Sequence, residues 1–223
     1  MSDDVRIIPL SESAVVVEFG RTICIELNQK AIALTKALNS KPFPGMIEAA
    51  PAYSSTSVFF DIGTVRKKAP NVEPMDFVAR SILASLNDLE IEDDTETPTV
   101  EIPFRVDDGE YDLADVSANC GLSHQQVIEA FTSVEYRIYM LGFLPGFPYM
   151  GTLDDRLVLP RRDVPRERVP SGSVAIAGKQ VGIYPQDSPG GWHILGRTKV
   201  PMFDADNIAL LRPGMKVRFV AEQ

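Results

Sequence analysis

Apolar and polar positions change period several times along the chain. Val5 to Leu10 and Ala14 to Phe19 alternate as two strands around the turn residues Ser11 to Ser13. Asn28 is placed to cap a helix through Leu38, whose positions Ala31, Leu34, Thr35 and Leu38 share one face. Met46 to Ala52 and Ser57 to Asp61 read as two more strands. Met75, Val78, Ala79, Ile82, Leu83 and Leu86 then recur at helical spacing, with Pro74 suited to the first turn. Strand, helix, hairpin, helix and a returning strand are the parts of a split βαβ, ferredoxin-like α+β layer.

A second patterned region opens with a strand, Thr99 to Arg105. Asp112 can cap a short helix that Gly121 ends. Ser123 and Gln126 form a capping-box pair for the next helix, to about Phe131. Glu135 to Leu141 alternates as a strand. Then the character changes. Nine of the chain's 15 glycines fall between Gly142 and Gly196, and eight of its 17 prolines between Pro145 and Pro201. Between them lie short apolar runs: Ser173 to Ala177, Gln180 to Tyr184, His193 to Leu195, Val200 to Phe203 and Lys216 to Val220. Many short strands with Gly/Pro turns predict a closed barrel or sandwich. The acidic run Asp88, Glu90, Glu92, Asp93, Asp94 and Glu96 separates the regions, because like charges repel and favour solvent. The expected division is therefore an α+β domain over 1–95 and a mainly-β domain over 96–223.

Composition narrows the function classes. The 223 residues are 44% hydrophobic and 24% charged, ordinary for a globular protein. The net charge of −9 argues against nucleic acid as a general partner. Two distant cysteines, Cys24 and Cys120, read as reduced thiols. Acids at the N-terminus do not suit a secretory leader, and no apolar run approaches the roughly 20 residues of a membrane helix. The expectation is a cytoplasmic protein without membrane contact.

Candidate chemistry concentrates in residues 142–204. Phe143, Leu144, Phe147, Tyr149 and Met150 crowd a loop stiffened by Pro145 and Pro148. That loop is either a structural lid on the barrel or a docking surface. Arg156, Arg161, Arg162, Arg166 and Arg168 follow within thirteen residues. Such a run is either a solvated face or a positive field for a small anion or an acidic partner surface. Gly190 and Gly191 let backbone amides approach a ligand, beside Tyr184, Trp192, His193 and Arg197. With only His124 and His193 and no CxxC or HxxxH spacing, no metal site is expected. Cys120 and His124 straddle the break at Gly121, so a thiol–base pair there is disfavoured. No phosphate loop, GxSxG elbow or GxGxxG signature occurs, and no catalytic residue is assigned.

These residues carry a family resemblance. Gly142-Phe-Leu-Pro-Gly-Phe-Pro-Tyr149, Pro160-Arg161, Val169-Pro-Ser-Gly-Ser-Val-Ala-Ile-Ala-Gly178, Gln180, Gly182-Ile-Tyr-Pro185, Ser188-Pro-Gly-Gly-Trp192, Gly196-Arg-Thr198 and Phe203-Asp204 resemble the family of the 5-oxoprolinase B subunit. That family is also called KipI or allophanate hydrolase subunit 1. The resemblance implies an N-terminal α/β domain and a C-terminal cyclophilin-like barrel. It implies partners: a KipA or C-type subunit together with a LamB/YcsF-type A subunit, forming a hetero-oligomer that uses ATP to open 5-oxoproline to glutamate. Two other roles are implied by relatives: KipI-type inhibition of a sensor histidine kinase, and a carboxyltransferase component of a urea-carboxylase-like enzyme. Many members have His at Phe131, which is either a lost functional group or a helix-end packing position. Relatives often have Gln or another polar residue at His193, so His193 is not expected to be an essential base.

On this reading Arg166, Gln180, Tyr184 and Arg197 line a barrel cleft, with Gly190 and Gly191 at its mouth and His193 alongside. The arginines would orient a small carboxylate and Gln180 would bond an amide. Phe143, Phe147 and Tyr149 are the expected contacts to the partner subunit.

Overall fold

The computed structural model describes residues 5–87, 89–91, 97, 99–106, 109–203 and 209–222. Most of the acidic run and Asp204 lie outside the described residues. The chain forms two compact units, Met1–Thr95 and Glu96–Gln223.

In the first unit β1 (Arg6–Ser11) and β2 (Ala14–Glu18) form a hairpin. Then come α1 (Ile25–Ser40), β3 (Met46–Pro51), β4 (Ser55–Phe60), α2 (Ile62–Lys68) and α3 (Pro74–Asn87). The antiparallel sheet runs β1-β2-β4-β3. The split βαβ expectation needed a strand returning after α3. The place beside β2 is instead filled by β1, so the sheet is completed from the start of the chain. Val15, Val17, Val58 and Phe60 on the sheet pack with Ala31, Leu34 and Leu38 of α1 and Val78 and Ile82 of α3. This is the apolar stripe read from the sequence, now with its partner face. Asn28 does not cap α1. It lies one turn inside, fully buried, and its amide donates to the Ala52 carbonyl at 3.1 Å.

The second unit is a closed barrel of β5 (Thr99–Val106), β6 (Glu135–Leu141), β7 (Pro148–Gly151), β9 (Ser173–Ala177), β10 (Gln180–Ile183), β12 (His193–Arg197) and β13 (Lys216–Glu222). Its strand order is β10-β7-β6-β13-β5-β12-β9, closed by the β9–β10 hairpin. Two short strands, β8 (Arg166–Val169) and β11 (Ser188–Gly190), pair separately. Helices α4 (Leu113–Cys120) and α5 (His124–Thr132) lie between β5 and β6 in the chain. The capping box of α5 is present, with both Ser123 and Gln126 engaged. The expected strand at Val200 to Phe203 does not form.

Period-2 alternation explains the closed interior. Ile102, Phe104, Ile138, Met150, Val174, Ile176, Val181, Ile183, Leu195, Val217 and Phe219 belong to one buried cluster. Phe131 joins it from the end of α5. Its ring lies 4.9 Å from Phe219 and 5.6 Å from Phe104, and its carbonyl accepts the Tyr136 hydroxyl at 2.6 Å. Here Phe131 is a packing residue.

The turn after β7 carries a titratable marker. Asp154 accepts hydrogen bonds from the Arg156 backbone amide at 2.9 Å and from its Nε and Nη2 at 3.0 and 2.8 Å. The Arg156 guanidinium and amide hold the Asp154 carboxyl down at about 2, against an ordinary 3.8. A carboxyl depressed on folding stabilises the fold above the ordinary value, and that contribution is lost as pH falls toward about 2. Carbonyl-detected NMR titration is expected to place the Asp154 midpoint near 2. In Arg156→Ala it should move up; an unmoved midpoint would assign the shift to another cause.

Candidate functional site

The outer face of β9, β10 and β12 is covered by aromatic rings rather than left to solvent. Where Val174, Ile176, Val181 and Ile183 point inward, Ala175, Ala177, Gly182 and Ile194 face out. Over them lie Phe147, Tyr184 and Trp192, with Tyr149 half-exposed at the edge. The Phe147 ring sits edge-on to Tyr184 at 5.2 Å and to Trp192 at 5.6 Å, and 4.9 Å from Tyr149. Gly182 makes this approach possible. A Cβ there would lie 2.6 Å from Phe147 and 2.9 Å from Trp192. Gly190 has the same role beneath the Tyr184 phenol.

Beside the rings stands a carboxylate–arginine clamp. Asp112 precedes α4, but its side chain makes no capping bond. Its carboxylate is 1% exposed and turns to Arg162 and Arg166. Arg166 donates from Nη1 at 2.9 Å and from Nη2 at 2.7 Å, one to each oxygen. The Ile194 amide of β12 adds a bond at 2.8 Å. Two cations and a backbone donor thus surround one buried acid, which is how a buried charge is tolerated. Asp115 adds a weaker contact to Arg162 at 3.8 Å.

The loop carrying these arginines is tied to the turn before β12. His193 Nε2 lies 2.9 Å from the Pro160 carbonyl. A carbonyl only accepts, so Nε2 carries the hydrogen; Nδ1 is buried without a hydrogen-bond partner among the described residues. The Arg162 amide donates to the Gly191 carbonyl at 2.8 Å. Between those two ties, the Arg161 guanidinium lies over the Trp192 ring at 6.0 Å. Burial raises the Tyr149 and Tyr184 phenols, and the positive charge of Arg161 opposes the rise in both. For Tyr184 the Trp192 backbone amide also opposes it.

The residues expected to share one cleft fall into three places. Arg166, Tyr184, Gly190, Gly191 and His193 gather around Asp112 and Trp192. Arg166 is committed to Asp112 and so is not a free carboxylate receptor. Arg197 pairs across from Ser173 at one end of β9, and Gln180 from Ala177 at the other. Four residues of strand separate those ends by about 13 Å along β9. Arg197 donates to the Ser171 carbonyl at 2.7 Å, and its Nε is buried without a hydrogen-bond partner among the described residues.

The partner-contact expectation is also divided. Phe147 is 1% exposed and Met150 lies inside the barrel, so this part of the loop is a lid. Phe143 is 62% exposed, with φ of +67°, its ring 5.6 Å from Phe147. Of the three expected contacts, Phe143 and part of Tyr149 remain at the surface for a partner. Asp112 was overlooked because a lone Asp before a helix reads as a cap, and nothing local marks its arginine partners. Among the described residues no group of three His, Cys, Asp or Glu could hold a metal ion, and no helix is long and apolar enough to cross a membrane. What the arrangement offers chemically is cationic and aromatic: recognition of an anion beside a flat apolar surface.

Comparison with known proteins agrees with the sequence resemblance. The family model described as carboxyltransferase domain, subdomain C and D, matches residues 5–211. A protein of Bacillus subtilis, named as the B subunit of 5-oxoprolinase, is 38% identical over 217 residues, covering 95% of this chain and 90% of the relative. One of the same name from Escherichia coli O157:H7 is 38% identical over 217 residues, covering 96% and 94%. The crystal structure of TTHA0988 superposes with a TM-score of 0.80 at 38% identity over 94% of this chain, which spans 40% of that longer protein.

Proposed function

The chain belongs to the family of the carboxyltransferase domain, subdomains C and D, and from that premise we propose that it is the B-type subunit of an ATP-dependent 5-oxoprolinase. In this role it acts in the cytoplasm with a C-type subunit together with a LamB/YcsF-type A subunit to open 5-oxoproline to glutamate. The observation that carries the reading is 38% identity to the B subunit of a 5-oxoprolinase, across 95% of this chain and 90% of that relative. A match of nearly full length on both sides supports a shared role of the whole chain rather than of one shared domain.

The chain's part is to present the arginine loop, held by the clamp, and the aromatic face to a small carboxylate, while ATP is used by the assembled complex. The ATP-using step is assigned to the assembly because the sequence has no phosphate loop. The purified chain is therefore expected to show no 5-oxoproline-dependent ATP hydrolysis. Co-expression with both partner chains should yield ATP-dependent glutamate release, followed by coupled glutamate assay. Substrate-dependent hydrolysis by the chain alone would refute the subunit reading. The family description also favours a second reading, a carboxyltransferase component. In that case turnover of the assembly would need bicarbonate and a biotinyl carrier and would be blocked by avidin, with no glutamate released from 5-oxoproline.

A further inference from the structure

Resting on that reading, we infer that Arg161 receives the carboxylate of the substrate, and that the Asp112 clamp holds the loop that presents it. Elimination within the arginine run singles it out. Arg156 is paired with Asp154 at 2.8 Å and Arg168 with Asp187 at 2.6 Å. Arg166 is paired with Asp112 at 2.7 Å, and Arg162 with Asp112 and, at 3.8 Å, Asp115. Arg161 alone of the five has no acidic partner among the described residues. In a chain of net charge −9, a guanidinium without an acid beside such a clamp is an uncommon local feature.

Its surroundings suit it for capture. The Arg161 guanidinium lies over Trp192 at 6.0 Å. A guanidinium at that distance from a ring leaves its N–H fork available to a carboxylate. Its backbone is fixed on both sides, by the Pro160 carbonyl on His193 at 2.9 Å and the Arg162 amide on Gly191 at 2.8 Å. Little backbone ordering is then left to be lost on binding. Half-exposed Tyr149 and exposed Phe143 supply apolar surface for the ring that bears the carboxylate. The ligand class is a small ring carboxylate whose acid meets Arg161 and whose ring lies toward the aromatic rim.

The test uses the assembled complex. Arg161→Gln should raise KM for 5-oxoproline roughly ten- to a hundredfold, the loss expected for one charged hydrogen-bonding partner, with kcat little changed. Arg161→Lys, which keeps the charge without the fork, should recover part of it. Arg168→Gln, whose arginine is already paired with Asp187, should leave KM unchanged. An unaltered KM in Arg161→Gln, where the wild-type complex turns over 5-oxoproline, overturns the inference. An inactive wild-type complex would instead sink the functional reading. The inference is then decided by Trp192, the chain's single tryptophan, whose emission is followed as the full chain is titrated with 5-oxoproline. A response in wild type that is lost in Arg161→Gln supports the site; no response in wild type overturns it.

Discussion

Asp112→Ala is expected to lower the unfolding free energy of the barrel unit by about 3 kcal/mol, the low end of the cost of breaking a buried ion pair by removing one partner. The low end applies because Arg162 and Arg166 keep 29% and 25% of their side-chain surface and can partly regain water. The Ile194 amide has no such recourse. It belongs to β12, a barrel strand, and loses its 2.8 Å bond to the carboxylate. Leaving that buried donor unsatisfied makes up about 1–3 kcal/mol of this loss. Urea unfolding of the wild type and variant, followed by Trp192 emission, measures the difference. Asp112→Asn separates charge from shape, since it keeps the volume and one acceptor oxygen but removes the countercharge for two guanidiniums. If both variants unfold at the wild-type midpoint, the clamp is an incidental contact and the fixed placement of Arg161 loses its basis.

The second large effect is at Phe147. A surface anchor could be truncated with loss of partner binding alone, as the sequence suggested. The ring is instead buried between Tyr149, Tyr184 and Trp192 on the sheet at Gly182. Phe147→Ala should therefore cost about 3–5 kcal/mol, the range for emptying a buried phenylalanine site. Against a typical domain stability of about 5–15 kcal/mol, the variant should be visibly less soluble and melt early. Phe143→Ala, at an exposed ring, should leave stability near wild type. A Phe147→Ala chain as stable as wild type but unable to co-purify with a partner would restore the docking reading and remove the lid.

The two predictions mark where local pattern stops. Periodicity was enough for the strands at Ala14, Ser173, Gln180 and Lys216, for the helix carrying Val78 and Ile82, and for the Ser123–Gln126 capping box, because each depends on residues at most a few positions apart. Gly/Pro punctuation in short apolar runs was enough for a barrel or sandwich, and the structure closes it as a barrel. The motif-rich stretch from Gly142 also marked where the aromatic rings and arginines would collect. Arg161 was visible in it as one member of a run and, with Pro160, as part of the family motif, but with no role of its own.

Tertiary structure decided which charge meets which. Asp112 reaches its arginines across 50 and 54 residues and the Ile194 amide across 82. No local signal encodes separations of that size, so a helix cap became a buried clamp and Arg166 passed from ligand group to structural partner. Strand direction decided that Arg197 and Gln180 lie at opposite ends of β9. The edge of the N-terminal sheet went to β1, because pairing depends on which strand reaches β2 rather than on its pattern. Composition and periodicity determine which faces are buried, since burial follows the chemistry of each side chain. The partner of each buried face, and the one arginine of the run left without an acid among the described residues, follow from long-range closure of the barrel.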